Sequence, residues 1–210
     1  MNIFKLLKPT NTYDIIDLDI VSMTKQIVSK TNQSFDKVLI SVMDGIPRGY
    51  KTLFELSEYG FDCKHNVRAK KQNYDVNLYG NLLVLNTRAY GYLNEAIKSC
   101  GEFSPLRTDG EKLFLFNPLE FVQEDLSLTE KAYLDGFENG LKSLVFERDD
   151  INDKLLFKSK LQGGLSIYCT DAFKELLADG ELKGLIFNKD ISRPILLVYS
   201  SMSLYKPSDC

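Results

Sequence analysis

The second half of the chain repeats the order of patterns found in the first: an apolar strand, a threonine and an amphipathic helix. Residues 80–90 align with residues 163–173 without a gap, so that Thr87 meets Thr170 and Tyr90 meets Phe173. A threonine hydroxyl at this position can accept from a free amide of the first helical turn, so both threonines are predicted N-caps. Each copy must bury one sheet face and one helix stripe, which predicts two lobes that share a core.

The predicted fold class is α+β, with two pseudo-repeated lobes of mixed or antiparallel sheet and helices packed on one face. We expect a single compact unit over residues 1–210, with lobes at 1–118 and 119–210. The clearest strand is the apolar run 82–85, which is typical of a strand buried on both faces. The following helix carries an apolar stripe at helical spacing and ends at Gly101.

Other segments have weaker patterns. Alternation predicts strand at 13–20, and β-branched residues predict strand at 35–43. A short helix is predicted at 48–59, and another after Ser127, where Ser-Leu-Thr-Glu fits a capping box. Further strands are predicted at 113–116, 141–147, 154–157, 165–168, 184–187 and 194–199, with 148–153 as an acidic turn joining a strand pair.

The composition indicates a globular protein that acts in the cytoplasm. The net charge is −3, whereas proteins that bind nucleic acid normally have a basic surplus. The start is too polar for a signal peptide, and no apolar run is long enough for a membrane span. The four cysteines are far apart in sequence, which favours reduced structural thiols over a zinc or redox motif. We therefore expect neither nucleic acid nor membrane as a partner.

Sequence motifs for catalysis are missing. The single histidine, His65, lies in a basic stretch where the only nearby nucleophile is Cys63. The acids at 149–153 lack the spacing and the glycine of a calcium loop, and no phosphate-binding glycine motif occurs. We predict no catalytic residues, no metal site and no cofactor.

Negative charge is concentrated between residues 119 and 154. This segment has ten acidic and four basic residues, or about −6 by 4 − 10. Such a segment is either a solvated face or a face that attracts a basic partner.

Several stretches of the chain form a recognisable succession: 75–86, 101–106, 113–122, 144–146, 155–158, 167–173 and 182–187. The last of them is a predicted closing strand with the pattern Gly-Leu-x-Phe, beginning at Gly184. Together they resemble a widespread bacterial family, first catalogued as a domain of unknown function, whose members are similar to the immunity proteins encoded beside secreted polymorphic toxins. The resemblance covers about residues 75–190.

The resemblance implies a cytoplasmic protein that binds and neutralises a cognate toxin domain. An acidic inhibitor suits a basic toxin, because opposite potentials accelerate association. The charged contacts with the toxin are expected to come from the acidic segment. The expected anchor in the interface is an aromatic residue, Tyr133 or Phe137. The alternative is that both rings pack inward. The expected charged contacts are Glu147, Asp149, Asp150 and Asp153.

Two alternatives remain at this stage. The chain could be a hydrolase that uses convergent carboxylates, which a concave pocket with two acids would favour. It could also be a generic protein-binding module without a toxin partner.

Overall fold

The computed structural model describes residues 1–9, 16–48, 60–65, 74–108 and 110–192. The first half contains β1 (Ile3–Leu7), β2 (Ile16–Asp17), α1 (Ile20–Thr31), α2 (Phe35–Arg48), β3 (Phe61–Asp62), β4 (Lys64–His65), β5 (Val76–Tyr79), β6 (Leu82–Asn86), α3 (Thr87–Ile97), β7 (Gly101–Arg107) and β8 (Lys112–Pro118). The second half contains β9 (Phe121–Val122), β10 (Lys131–Leu134), β11 (Phe137–Leu141), α4 (Arg148–Ile151), β12 (Leu156–Ser159), β13 (Ile167–Thr170), α5 (Asp171–Asp179) and β14 (Ile186–Asn188). The predicted α+β class is confirmed.

Two five-stranded sheets form the framework. The first has the order β3-β7-β8-β6-β5 and the second the order β14-β1-β13-β12-β9. Both are mixed, because β3 is parallel to β7 and β9 is parallel to β12, while the other neighbours are antiparallel. The N-terminal strand β1 belongs to the second sheet. The sheets therefore do not divide the chain at residue 118, where the predicted lobes meet.

The same unit occurs once in each sheet. In each unit a hairpin (β5-β6 or β12-β13) is followed by a helix (α3 or α5) and then by a further strand (β7 or β14). This further strand lies two positions from the second strand of the hairpin in the sheet and is parallel to it. An antiparallel strand fills the gap between them. In the first sheet that strand is β8, which follows in the chain, whereas in the second it is β1, from the opposite end of the chain.

The two units correspond at an offset one residue longer than the sequence alignment suggests. In α3 the buried positions include Ala89 and Leu93, and in α5 they are Phe173 and Leu177. These pairs are 84 residues apart. The alignment of Thr87 with Thr170 is therefore wrong by one position, because it places buried Ala89 against an exposed alanine of α5.

The helix caps show the same shift. Asn86, not Thr87, is the N-cap of α3, and its Oδ1 accepts from the amide of Ala89 at 2.8 Å. The Thr87 hydroxyl instead donates to the Lys112 carbonyl. Thr170 is the N-cap residue of α5, as predicted, but its hydroxyl donates to the Lys154 carbonyl rather than accepting from the helix.

Three apolar clusters hold the sheets and helices together. Strand β6 is buried on both faces, as predicted: Leu83 and Leu85 face the cluster that contains α3, α5 and part of the second sheet, while Leu82 and Val84 face α1 and α2. The first sheet thus has helices on both faces rather than one. A third cluster, on the second sheet, contains Phe157. The first of these clusters contains residues from both sheets.

The predicted strand at 35–43 is wrong, because this segment forms most of α2. The Val38 amide donates to the Ser34 carbonyl, and Val38 and Val42, four residues apart, are buried against α1 and the first sheet. β-branched residues favour strands only weakly, and burial of one helical stripe outweighs that preference. Of the 13–20 segment, only Ile16–Asp17 is strand in the described residues. Arg48, the first residue of the helix predicted at 48–59, is the last residue of α2; the rest of that prediction and the strand predicted at 194–199 lie outside the described residues.

None of the helices within the described ranges is long and apolar enough to cross a membrane.

Candidate protein-binding surface

A two-residue turn creates a separate hairpin from β10 and β11. Asp135 and Gly136 both have positive φ, at 53° and 85°, as a type I′ turn requires. Gly140 (φ 79°) accompanies a register shift on β11, which marks a bulge. The short helix predicted after Ser127 is therefore wrong. The dipeptide Asp-Gly was the available signal, and the capping-box pattern obscured it.

The hairpin is attached to the body of the protein by its two arms. The Lys142 amide donates to the Glu130 carbonyl, and the amide and carbonyl of Val145 bond the Thr129 hydroxyl. Farther along the arm, Phe146 enters the third cluster. Beyond these arms, β10 and β11 form a two-stranded sheet that pairs with no other described strand. The predicted strand pair of 141–147 with 154–157 is wrong, because β12 pairs with β13 and β9 instead.

The hairpin carries large apolar side chains into solvent. Phe137 is 78% exposed, Tyr133 63% and Leu134 60%. The alternative in which both aromatic rings pack inward is therefore wrong. Leu126 and Leu128, in the turn before the hairpin, are also exposed. Contiguous exposed apolar groups of this kind mark interaction sites in proteins.

The two faces of the hairpin differ in polarity. Directly opposed residues share a face, and the register opposes Leu134 to Phe137 and Tyr133 to Glu138. On the Tyr133 face, the Lys131 amine contacts Glu138 at 2.7 Å, and this hydrogen bond raises the pKa of Lys131. On the opposite face, Leu134 and Phe137 form an apolar pair beside the turn that contains the exposed Asp135.

The acidic residues predicted to bind a partner lie where the second arm ends. The predicted turn is a single helical turn, α4, with Glu147 as the N-cap residue. The Asp150 carboxylate accepts from the amide of Gln123 at 2.7 Å, so Asp150 stabilises the local fold. Glu147, Asp149 and Asp153 are exposed.

Most other charges of the acidic segment are neutralised or buried. Three of its four bases form ion pairs with acids of the same segment: Lys131 with Glu138, Lys142 with Glu130, and Lys154 with Glu120. Glu124 is buried, and its carboxylate accepts from the hydroxyl of Ser159 and the amide of Leu161. In the part of the chain that the structure describes, no ion pair involves Glu147, Asp149 or Asp153. Four acids of the segment (Glu147, Asp149, Asp150 and Asp153) therefore lie in or beside α4, where Arg148 is the base of the same helix.

A cleft lies beside α3 and the end of α5. Its volume is about 480 Å³, and its lining includes Arg88, Tyr92, Asp179 and Glu181. The Arg88 guanidinium contacts Asp75 at 3.2 Å and donates to the carbonyl of Gly180 at 2.8 Å. The hydrolase alternative requires two acids in one pocket, and Asp179 and Glu181 are acids that line this cleft. Arg88 already serves to join α3 to the segment after α5.

A buried series of side-chain hydrogen bonds joins the two sheets, and no sequence pattern predicts it. Lys158 on β12 is fully buried, and its Nζ donates to Asn117 Oδ1 on β8 at 3.0 Å. Asn117 Nδ2 in turn donates to the carboxylate of Glu102 on β7 at 2.9 Å. Burial lowers the pKa of Lys158 to about 7, and the charge of Glu102 opposes this shift. Lysine in a short β-strand gives no sequence signal of burial, because lysine is almost never fully buried.

Metal coordination finds no support in the described ranges, where no three residues of the ligating types come together. No protein-family model matches the sequence, and no curated protein matches it.

Proposed function

We propose that this chain binds another protein through the hairpin and the acidic surface around α4, and that it acts as an immunity-type protein that neutralises a cognate toxin domain. The observation that carries protein binding is the hairpin, whose large apolar side chains are exposed and whose second arm leads to the exposed acids around α4. The toxin as partner comes from the resemblance over residues 75–190.

The charge distribution supports a basic partner. Glu147, Asp149 and Asp153 are exposed, and the nearby bases are largely occupied by other acids. Such a surface accelerates association with a positively charged protein, an effect that decreases as salt increases. Exposed aromatic residues then provide the short-range contribution, since aromatic anchors carry much of the energy at interfaces.

The test is co-expression with the C-terminal domain of the protein encoded immediately upstream, measuring growth rescue and complex formation on a sizing column. We expect rescue and a stable complex with the unmodified chain. The double variant Asp149→Lys, Asp153→Lys should weaken rescue, whereas Glu111→Lys, Glu175→Lys, an equal charge change at exposed acids on other elements, should not. A chain that neither rescues nor binds contradicts the proposed function.

A further inference from the structure

We infer that the cross-strand pair Leu134 and Phe137 is the anchor of this surface and inserts into an apolar cleft with a basic rim on the partner protein. The inference rests on the proposed function and specifies its binding mode. It assigns the anchor to the tip of the hairpin, and it predicts the shape and the charge of the surface that receives it.

The anchor lies on the Leu134 face because neither strand places a charged side chain on that face beside the turn; the nearest charge is Asp135, in the turn itself. Leu134 and Phe137 oppose each other directly, next to the turn, and form one apolar pair. Tyr133 is exposed to a similar degree, but it lies opposite Glu138, which is ion-paired with Lys131. Burying the Tyr133 face would desolvate this ion pair, whereas burying the Leu134 face removes mainly apolar surface from water.

The exposed edges of the hairpin are poorly suited to strand addition. Lys131 lies on β10, and Lys142 immediately follows β11, each paired with an acid. Charged side chains on an edge strand, lysine above all, oppose pairing with a further strand. The bulge at Gly140 also breaks the regular ladder. Side-chain insertion is therefore favoured over main-chain pairing.

The position of the charges defines the shape of the receiving surface. From Lys131 to the turn at Asp135 the hairpin extends roughly 13 Å, at about 3.3 Å per residue. The apolar pair lies beside the turn, which also exposes Asp135, the strands carry paired charges, and further exposed acids lie beyond the base, around α4. A partner cleft that receives the apolar pair and carries basic groups at its rim would complement both the hairpin and the acids around α4.

The same charges argue against a second copy of this chain as the occupant. Two copies carry the same net charge of −3 and the same exposed acids, Glu147, Asp149 and Asp153, and like charges oppose association. A basic partner removes that repulsion.

The test measures binding of the full chain to the C-terminal domain of the protein encoded upstream, by surface-based kinetics at two salt concentrations. Phe137→Ala and Leu134→Ala should each weaken binding by about 30-fold, mainly through faster dissociation, as for central anchors. Tyr133→Ala, an aromatic of comparable exposure on the opposite face, should change the affinity less than about threefold. Ile40→Ala, an exposed aliphatic side chain on α2, should have no effect.

Each outcome decides between the two proposals. If the unmodified chain binds and Phe137→Ala binds equally well, the tip is not the anchor, although protein binding stands. If Tyr133→Ala is as weak as Phe137→Ala, the assignment of the face is wrong. If the unmodified chain does not bind at all, both the proposed function and this inference are contradicted. Because these side chains are exposed, unchanged thermal unfolding of the variants excludes a folding defect.

Discussion

Replacing Lys158 with methionine should stabilise the protein at neutral pH and remove part of the pH dependence of its stability. The Lys158 side chain is fully buried, and burial lowers the pKa of its amine from 10.5 to about 7. Between these two values the unfolded chain binds more protons at this site than the native chain does. The free energy of unfolding therefore rises with pH across this interval.

The magnitude follows from the shift. One pKa unit corresponds to about 1.4 kcal/mol, so a full shift to about 7 sets an upper limit of about 5 kcal/mol. The cost of Lys158 is absent above pH 10.5, grows as the pH falls, and is complete below about pH 7. Methionine has a similar length but leaves the Oδ1 of Asn117 without this donor, which costs about 1–3 kcal/mol. We expect a net gain of about 1–4 kcal/mol at pH 7, as seen when buried charged groups are replaced by apolar ones.

The assay is urea unfolding of both proteins at intervals between pH 7 and pH 10. The quantity of interest is the difference in free energy of unfolding between variant and parent. This difference cancels other titrating groups, such as buried Lys5, whose pKa burial lowers to about 8. It should be largest at pH 7 and should shrink as pH rises. A difference that does not change with pH would refute the reasoning, because it would mean that Lys158 does not lose its proton on folding.

Three further predictions concern local structure. Asn86→Ala should lower the free energy of unfolding by about 1 kcal/mol or more in urea titrations, because it removes the side-chain cap of α3 and the bonds that Asn86 Nδ2 donates to the Tyr74 carbonyl and to Asp75. An unchanged value would contradict the contribution of these bonds, the cap included. Gly184→Ala should lower the melting temperature and reduce the free energy of unfolding by about 1–3 kcal/mol, because the φ of Gly184 is +122° and a Cβ would lie 2.0 Å from the Val76 carbonyl oxygen. The control is Gly110→Ala, where a Cβ meets nothing within 4 Å. Cys169 should resist a thiol reagent at pH 8 in the native protein and react after unfolding, because it is fully buried and burial raises the pKa of its thiol. The labelled cysteines are located by mass spectrometry, and rapid labelling of Cys169 in the native protein would contradict its burial.

Local patterns in the sequence were sufficient for the elements whose burial is uniform. The apolar run at 82–85 predicted a strand buried on both faces, and the stripe that contains Leu93 predicted α3, because period and burial agree there. The excess of acids between 119 and 154 is likewise a property of the sequence. The Asp-Gly turn of the hairpin was also a local signal, although a competing helix-capping pattern concealed it.

Tertiary structure alone decided features that depend on distant residues. Strand β1, at the start of the chain, lies between β13 and β14 and pairs with both, and no local pattern specifies that pairing. Segment 35–43 became helix because α1 and the first sheet bury one side of it, at Val38 and Val42. The exposure of Phe137 was undetermined in the sequence for the same reason: an aromatic residue is buried only where another element covers it, and the described structure places this one on a hairpin outside the sheets.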